Sequence, residues 1–293
     1  MDNDKIRALL TVLEKGNLGD AADRLGYTPS GISRMMASLE EETGCTLLNR
    51  SRKGVTPTTE CEALLPTMRG LAQLDEQYRQ IAAGLQGMEI GTVRIGNAYY
   101  FLQDALIQTT RKFTTMYPGI KVELIEEFST SLADKLTHNE LDICIMSKRD
   151  IECDWHLLQK DKMVVWLPED SKFKGKKYPI KHLEEVDFIE MWGGGVTDGE
   201  RTIRENGIQP DVKYSVRTDQ SAYAMVAAGL GVALTNGIYA GYVPDNIHSV
   251  PTDPEVTVDI GIATAPADRR SPATTKFLSM LYAACVSELS RAK

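Results

Sequence analysis

One apolar spacing occurs three times in the first 39 residues, and it constrains the fold more than any other feature of the chain. Each segment places apolar side chains at positions i, i+3, i+4 and i+7, which puts them on one face of a helix. The three stripes are Ile6, Leu9, Leu10 and Leu13; Leu18, Ala21, Ala22 and Leu25; and Ile32, Met35, Met36 and Leu39. Because each helix has one apolar face, the pattern predicts a small trihelical core.

The breaks between these segments predict how the helices meet. Gly16-Asn17 separates the first two, and Gly26-Tyr27-Thr28 separates the second from the third. Thr28 is a good N-cap, and Pro29 suits the first helical position, where its missing N–H costs nothing. Two helices joined by so short a turn predict a helix-turn-helix, whose second helix presents its N-terminal residues to base edges in the major groove.

The start of the third helix has chemistry that suits DNA. Arg34 can bond a guanine or a phosphate, the nearby serines can bond either, and Gly31 permits a close approach. A turn-rich stretch at 49–59 predicts a β-hairpin wing whose cations would neutralise phosphates or enter the minor groove. The predicted DNA-binding residues are Thr28, Pro29, Ser30, Gly31, Ser33, Arg34, Arg50, Arg52 and Lys53.

Charge is unevenly distributed along the chain. The net charge is −8, from 33 basic and 41 acidic residues. Residues 1–58 hold eight of each sign, so the remainder carries the whole acidic excess. DNA binding depends on where positive charge lies rather than on its total. A lone basic side chain is usually a solvated surface charge, as we expect for Lys5 and Lys15, whereas the cations beside the predicted helix-turn-helix form a cluster.

Residues 60–85 predict a long helix that needs a partner. A seam with alternating spacings of three and four runs for about three heptads, between polar flanks. Its members are Leu64, Thr67, Leu71, Leu74, Tyr78, Ile81 and Leu85. We expect the seam to join copies of the chain into a homodimer or homotetramer, although a helix packed on its own domain would show a similar stripe. Gly84, Gly87 and Gly91 then mark a hinge.

Beyond the hinge, predicted strands and helices alternate. The strands are 92–96, 121–126, 141–146, 163–167, 188–191, 212–216, 232–234 and 256–263; the helices are 101–116, 131–138, 199–206, 221–229 and 272–291. Alternation of this kind predicts a largely parallel sheet with helices on both faces. The length suffices for two lobes, with the final helix packed back on one of them.

These patterns divide the chain into a multi-domain α and α/β protein. The predicted boundaries are 1–59 for the winged helix-turn-helix, 60–90 for the linker helix and hinge, and 91–293 for the α/β domain. Within the last, lobe I takes about 91–166 and 267–293, and lobe II about 167–266. The longest apolar run, 227–234, is far too short to span a membrane, and the acidic N-terminus is unlike a signal peptide.

A ligand site is expected between the lobes. In such folds ligands bind outside the carboxyl ends of strands and near helix N-termini. The hydroxyls and free N–H groups at 129–131 could hold a carboxylate or phosphate, which would suit an anionic effector. The predicted effector-binding residues are Asn97, Ala98, Ser129, Thr130, Ser131, Trp192 and Thr218. The hydroxyl residues are also ordinary N-caps, and Trp192 could simply cover the core.

Catalytic and metal-binding patterns are missing from the sequence. The four histidines are far apart, and neither HExxH, GxSxG nor a P-loop occurs, so we expect no enzyme activity and no cofactor. The five cysteines form no CxxC pair, which argues against zinc. Cys144 and Cys153 are close enough in sequence for a redox switch, but the apolar neighbours of Cys144 favour a core residue.

The sequence resembles the LysR-type transcriptional regulators, and the resemblance spans the chain. The matching runs are 16–25, 28–34, 39–44, 47–50 and 54–58, with further landmarks at 91–96, 117–120, 141–143 and 228–232. The resemblance implies a linker helix and a two-lobed domain like a type 2 periplasmic binding protein. It also implies a cytoplasmic regulator that binds promoter DNA as an oligomer, responds to a small-molecule effector and acts on RNA polymerase.

Three positions depart from the family pattern. Pro29 stands where glutamine is frequent, Pro57 replaces a leucine of the wing, and Cys61 replaces a glycine. The operator sequence therefore cannot be carried over. The second interpretation is a two-lobed small-molecule-binding protein or enzyme whose N-terminal helices make only protein contacts. A third, a DNA-compacting protein, would leave the acidic α/β domain without a role.

Overall fold

The computed structural model describes residues 3–51, 54–85, 89–191, 197–242 and 246–291. Three predicted site residues, Arg52, Lys53 and Trp192, lie outside the described residues, as does Gly87 of the predicted hinge.

The N-terminal domain, which we call the head, is the predicted trihelical unit. Its helices are α1 (Asn3–Lys15), α2 (Leu18–Leu25) and α3 (Pro29–Thr43). Thr28 caps α3, and its Oγ1 accepts a hydrogen bond of 3.1 Å from the Gly31 amide. The apolar stripes meet in one core, whose most deeply buried members include Ile6, Leu9, Ile32, Met36 and Leu39. The helix-turn-helix prediction is confirmed.

The wing is an antiparallel hairpin of β1 (Leu48–Ser51) and β2 (Gly54–Pro57). It is attached to the turn after α1, because the Val55 amide donates to the Gly16 carbonyl at 2.7 Å. Gly54 has φ +123°, and a Cβ there would lie 2.8 Å from the Gly16 oxygen. Glycine is therefore required at this position for both backbone conformation and space.

The linker helix α4 runs from Thr59 to Leu85. Its first half buries Cys61, Leu65 and Met68 in the head. Its second half leaves the apolar seam exposed, with solvent reaching 56% of Leu74, 70% of Tyr78, 47% of Ile81 and 85% of Leu85. The predicted seam is thus divided between packing on the head and an uncovered stripe.

The α/β domain contains the remaining elements. Its strands are β3 (Gly91–Asn97), β4 (Ile120–Glu126), β5 (Ile143–Ser147), β6 (Asp154–Pro168), β7 (Tyr178–Pro179), β8 (Asp187–Met191), β9 (Asp211–Val216), β10 (Ala233–Asn236), β11 (Ile247–Asp253) and β12 (Thr257–Thr264). Its helices are α5 (Gln103–Met116), α6 (Ser129–Thr137), α7 (Asp198–Glu205), α8 (Asp219–Ala227) and α9 (Pro272–Arg291). Strands β7 and β11 were not predicted.

The largely parallel sheet expected from the sequence is wrong. Strands β3, β4 and β5 pair in parallel, but β12 is antiparallel to both β5 and β6. Strand β6 is long enough to serve both lobes: its first part pairs with β12, and its second part pairs antiparallel with β10 and β11. Strand β6, which serves both lobes, and its antiparallel neighbours therefore make the sheet mixed.

One buried core extends through lobe I and into lobe II, and lobe II has a second core of its own. In lobe I, α5 and α9 pack together, and Phe113 meets Phe277 with ring centroids 5.0 Å apart. In lobe II, Met163, Val165 and Phe188 are buried in a separate cluster. The final helix packs on lobe I, as the sequence predicted. No helix in the described ranges is long and apolar enough to cross a membrane.

Candidate functional site

The N-terminal end of α3 is presented to solvent. Ser30 and Arg34 are exposed, Ser33 and Gly31 are half-buried, and Ile32 and Met36 point into the core. The Thr28 hydroxyl lies 3.1 Å from that of Ser30. A cap and an apolar stripe therefore fix the helix, while its polar side chains remain available on the opposite face.

Basic residues of the head fall into two groups. Those away from this face form ion pairs with nearby carboxylates: Lys5 with Glu42, Arg7 with Asp4, Lys15 with Glu14, and Arg24 with Glu14 and Glu123. Arg34 and Arg50 form none within the described part of the chain; the Arg34 Nε donates only to the Ser30 carbonyl, at 3.4 Å. Positive charge that no carboxylate neutralises is therefore concentrated on α3 and the wing.

A cavity of about 500 Å³ lies between the two lobes. Lobe I contributes the ends of β3 and β4, Arg149 and the start of α6, and lobe II contributes the starts of α7 and α8 together with β10. Of the predicted effector residues, Asn97, Ala98 and Ser129 line this cleft. Thr130, Ser131 and Thr218 do not line it.

Most of the predicted polar groups serve local structure. The Asn97 side chain donates to Gln103 Oε1 at 2.8 Å and accepts from the Tyr99 amide at 3.0 Å. The Ser129 Oγ accepts from the Ser147 amide at 3.0 Å. Thr218 caps α8 by accepting from the Ser221 amide at 3.1 Å. These side chains therefore shape the cleft more than they offer free donors to a ligand.

The buried centre of the cleft is the carboxylate of Asp198, at the start of α7. It accepts hydrogen bonds from five side chains: Tyr99 and Ser147 at 2.6 Å, Arg149 at 3.3 Å, and Arg201 and Asn236 at 3.4 Å. Tyr99, Ser147 and Arg149 belong to lobe I, whereas Asp198 belongs to lobe II. One carboxylate thus connects the lobes, and we call it the inter-lobe latch.

Burial shifts the acid–base equilibria around the latch. It raises the pKa of the Tyr99 hydroxyl, and the negative charge of Asp198 raises it further. It lowers the pKa of the Arg149 guanidinium, an effect that Asp198 opposes. Tyr99 therefore remains a neutral hydrogen-bond donor to the carboxylate.

Sequence reasoning missed Asp198, Arg149 and Ser147. Asp198 follows the N-cap Thr197, so it looks like an ordinary first-turn acid. Arg149 lies just beyond a buried strand, where parallel strands deliver ligand-binding residues. The position of Arg149 directly after β5 was the feature of the sequence that could have predicted its place in the cleft.

The cysteine that the sequence considered for a redox switch, Cys144, lies in the core and outside the lining of the cleft. Among the residues described, no group of three or more histidine, cysteine or acidic side chains could hold a metal ion. Cys144 is fully buried, and burial raises the pKa of its thiol far above the ordinary value. A protonated, inaccessible thiol reacts slowly with oxidants.

Two family profiles match the chain. Residues 4–62 match "Bacterial regulatory helix-turn-helix protein, lysR family", and residues 86–286 match "LysR substrate binding domain". The chain belongs to the LysR family. This LysR-family chain is a DNA-binding transcription regulator with an effector-binding domain, and the second interpretation, an enzyme or binding protein that does not bind DNA, is set aside.

Similar proteins span nearly the whole chain. The probable HTH-type transcriptional regulator LrrA of Synechococcus elongatus is 28% identical over 285 residues, or 96% of each chain. ShiR of Corynebacterium glutamicum, also an HTH-type transcriptional regulator, is 28% identical over 88% of this chain and 90% of its own. These relatives are regulators rather than enzymes.

Solved structures share the fold. A full-length OxyR variant of Pseudomonas aeruginosa superimposes with a TM-score of 0.74 at 21% identity, covering 97% of this chain and 94% of its own. CbnR in complex with its target DNA gives a TM-score of 0.56 at 19% identity, covering 97% and 100%.

Proposed function

We propose that the LysR-family chain reads its promoter through the exposed end of α3 and grips the DNA backbone with its wing. Arg34, Ser30 and Ser33 supply contacts to bases or phosphates, and Arg50, Arg52 and Lys53 supply backbone contacts. Thr28, Pro29 and Gly31 hold the helix start against the duplex. The observation that carries this assignment is the unpaired charge of Arg34 on a capped, exposed helix end.

The active form is a homo-oligomer joined through α4. Four large apolar side chains on one stripe of this helix are exposed in the single chain. Covering them with the same stripe of a second copy would bury the heptad seam. Two heads placed in this way would read a two-fold symmetric site in the cytoplasm, where promoter DNA and RNA polymerase are available.

The inter-lobe cleft binds the effector, which acts by changing the relative populations of oligomer arrangements. The predicted effector-binding residues that line the cleft, Asn97, Ala98 and Ser129, are the ones we assign to the ligand. A cleft formed at strand ends and helix starts is where ligands of two-lobed α/β folds bind.

A DNA-binding assay tests the assignment of the DNA face. Arg34→Ala should weaken binding to the promoter by about 1–3 kcal/mol and relax sequence preference, because a bidentate base contact is lost. Lys15→Ala is the matched control, since Lys15 is also basic and belongs to the head but pairs with Glu14. Affinity is measured by fluorescence anisotropy on specific and scrambled duplexes.

Arg50→Ala tests the wing separately. A phosphate contact carries no sequence information, so binding should weaken on every duplex and the salt slope should fall by about one unit. Equal affinities for the wild type and both arginine variants would reject this DNA face while leaving the family assignment intact.

A further inference from the structure

The cleft is acidic, although the sequence led us to expect an anionic ligand. Its described lining holds four carboxylates against one guanidinium. The acids are Glu126, Glu127, Asp198 and Asp219, and the base is Arg149. Adding Arg201, which contacts Asp198 from outside the lining, still leaves the acids in excess. Residues 192–196 are tryptophan, glycine and valine and bring no charge.

The Arg149 guanidinium, which is the cationic group of the described lining, already donates its hydrogen bonds to other groups of the protein. Arg149 donates through Nη2 to Asp198 and through Nη1 to the Ser147 hydroxyl at 2.6 Å, and its Nε donates to the Thr130 hydroxyl at 3.2 Å. Only 11% of its side chain is exposed. An anionic ligand would have to displace Asp198 before it could pair with this arginine.

Anion binding at the start of α6 is also opposed by charge. Glu126 and Glu127 directly precede this helix, and both line the cleft. Glu127 is partly neutralised by Lys135 at 3.6 Å, and Glu126 accepts from Gln103 at 2.7 Å with no cationic partner among the residues that the structure describes. A carboxylate ligand here would meet an uncompensated negative charge.

Asp219 differs from the other acids of the cleft. It is the first residue of α8 and is half-buried against the cavity, yet no hydrogen bond or ion pair holds it among the residues described. Burial raises the pKa of its carboxyl group, which is the result expected for a carboxylate without a cation beside it.

Two tyrosine rings line the same cavity as the Asp219 carboxylate. Tyr100 and Tyr239 stack with ring centroids 4.8 Å apart and an interplanar angle of 9°, and both line the same cavity. Asp219 lines the cavity as well; burial raises the pKa of the Tyr239 hydroxyl, and the negative charge of Asp219 raises it further. Stacked tyrosines next to a carboxylate are an arrangement that attracts organic cations.

We infer that the effector carries a cationic nitrogen, which pairs with Asp219 while its apolar part packs on Tyr100 and Tyr239. This inference rests on the proposed role of the cleft as the effector site and specifies the chemistry that the cleft selects. A ligand of this class supplies the charge that the lining lacks and leaves the inter-lobe latch intact.

Three probes of similar shape and different charge test the inference on the full chain. They are 2-phenylethylammonium, 2-phenylethanol and 3-phenylpropanoate, and binding is measured by calorimetry and by the shift in thermal midpoint. The ammonium should bind at least about tenfold more tightly than either of the others, the scale of one charge-assisted hydrogen bond.

Asp219→Asn should remove this preference by reducing ammonium binding about tenfold. Asp104→Asn is the matched control, because Asp104 is an exposed first-turn aspartate of α5 that does not line the cleft. Tyr100→Leu should weaken the ammonium more than the alcohol, since it removes an aromatic face.

Equal or tighter binding of 3-phenylpropanoate, no preference for the ammonium, or an Asp219→Asn variant that binds the ammonium as the wild type does would each overturn the inference. DNA affinity is measured on the same preparations. Loss of the ammonium preference with salt-dependent DNA binding intact overturns only the ligand chemistry, whereas absence of DNA binding would overturn the proposed DNA face instead.

Discussion

The latch residue Asp198 belongs to one lobe but finds most of its hydrogen bonds in the other. Its side chain is 5% exposed, and that of Arg149 is 11% exposed. A buried carboxylate in this position stabilises the closed arrangement only while its partners remain in place, because an unpaired buried charge is strongly unfavourable. The residue therefore couples the width of the cleft to a single set of polar contacts.

Asp198→Ala should lower the stability of the α/β domain by about 3 kcal/mol, since it leaves Arg149 without its carboxylate. Formate can occupy the vacated volume and should restore part of the loss, whereas chloride at equal ionic strength should not. The measurement is the thermal midpoint with each salt. Asp150→Ala, at an exposed acid next to Arg149 in lobe I, is the control; an Asp198→Ala variant that melts with the wild type would show that the latch does not hold the lobes.

Asp161 gives the domain a specific pH dependence. It lies on β6 near the crossing between lobes, is 4% exposed, and has one carboxyl oxygen, Oδ2, without a hydrogen bond. Burial raises its pKa from 3.8 to about 6. Because the folded state then binds the proton more tightly than the unfolded state, the contribution of Asp161 to stability falls as pH rises from about 4 to about 6.

Asp161→Asn should remove this decline. At neutral pH the variant should be more stable than the wild type by about 2–3 kcal/mol, and the difference should vanish at pH values below the unfolded pKa. Thermal midpoints across the acidic range measure it. A constant difference between variant and wild type would mean that Asp161 is not the titrating group.

Individual site residues were harder to predict than the elements that carry them. Arg34 was predictable because a cap and an apolar stripe fix which face of α3 is exposed. Asp198 was not, since its role depends on Tyr99 and Arg149, which are distant in sequence and contact it only through the fold. A first-turn acid has the same sequence pattern whether it faces solvent or another lobe.

Among the elements, the linker helix α4 most clearly needs a partner to cover its apolar stripe. In a single chain, the large apolar side chains of the stripe from Leu74 to Leu85 are in contact with water. Tyr78→Asp should weaken self-association at least about tenfold, because it buries a charge in the seam, and should lower DNA affinity as the paired heads separate. Sedimentation equilibrium measures the first effect.

Ala63→Asp is the matched control for this helix, as it places the same charge at an exposed position outside the seam. It should leave the oligomer intact. Self-association of Tyr78→Asp equal to that of Ala63→Asp would indicate that another surface joins the copies.

Most elements could be predicted from local pattern, and the exceptions have physical reasons. Helix α9 was predicted with its observed bounds because Pro272 and a continuous apolar face define it. Strand β6 was predicted too short, since the charged run 160–162 interrupts its apolar pattern where the strand passes between lobes. Strand β11 was missed because it contains Pro251, a residue that argues against a strand in the sequence. Its antiparallel pairing with β6 is visible only in the structure.

At the scale of the whole molecule, ion pairs connect the head and α4 to the α/β domain. Arg24 of α2 lies 3.6 Å from Glu123 of β4, and Arg69 of α4 lies 3.0 Å from Glu140. A cavity of about 630 Å³ lies between the head, α4 and lobe I. Half-exposed ion pairs across such a gap contribute little stability, roughly 0–1 kcal/mol each, and are screened by salt. We therefore expect high salt to weaken the attachment of the head to lobe I.

Glu123→Lys should release the head on this side, because it replaces an attraction to Arg24 by a repulsion and adds a further positive charge beside Arg94. Small-angle X-ray scattering of the wild type should show expansion as salt is raised, whereas the variant should be expanded already at low salt and should respond little. The thermal midpoint should change by less than the equivalent of about 1 kcal/mol, since the pairs are partly solvated.

Asp150→Lys makes the same change of charge at an exposed site that no ion pair joins among the described residues, so it should behave as the wild type does. Superimposable low-salt scattering from Glu123→Lys and the wild type would mean that other contacts, such as the hydrogen bond from the Ala273 amide to Gln80 of α4, set the position of the head.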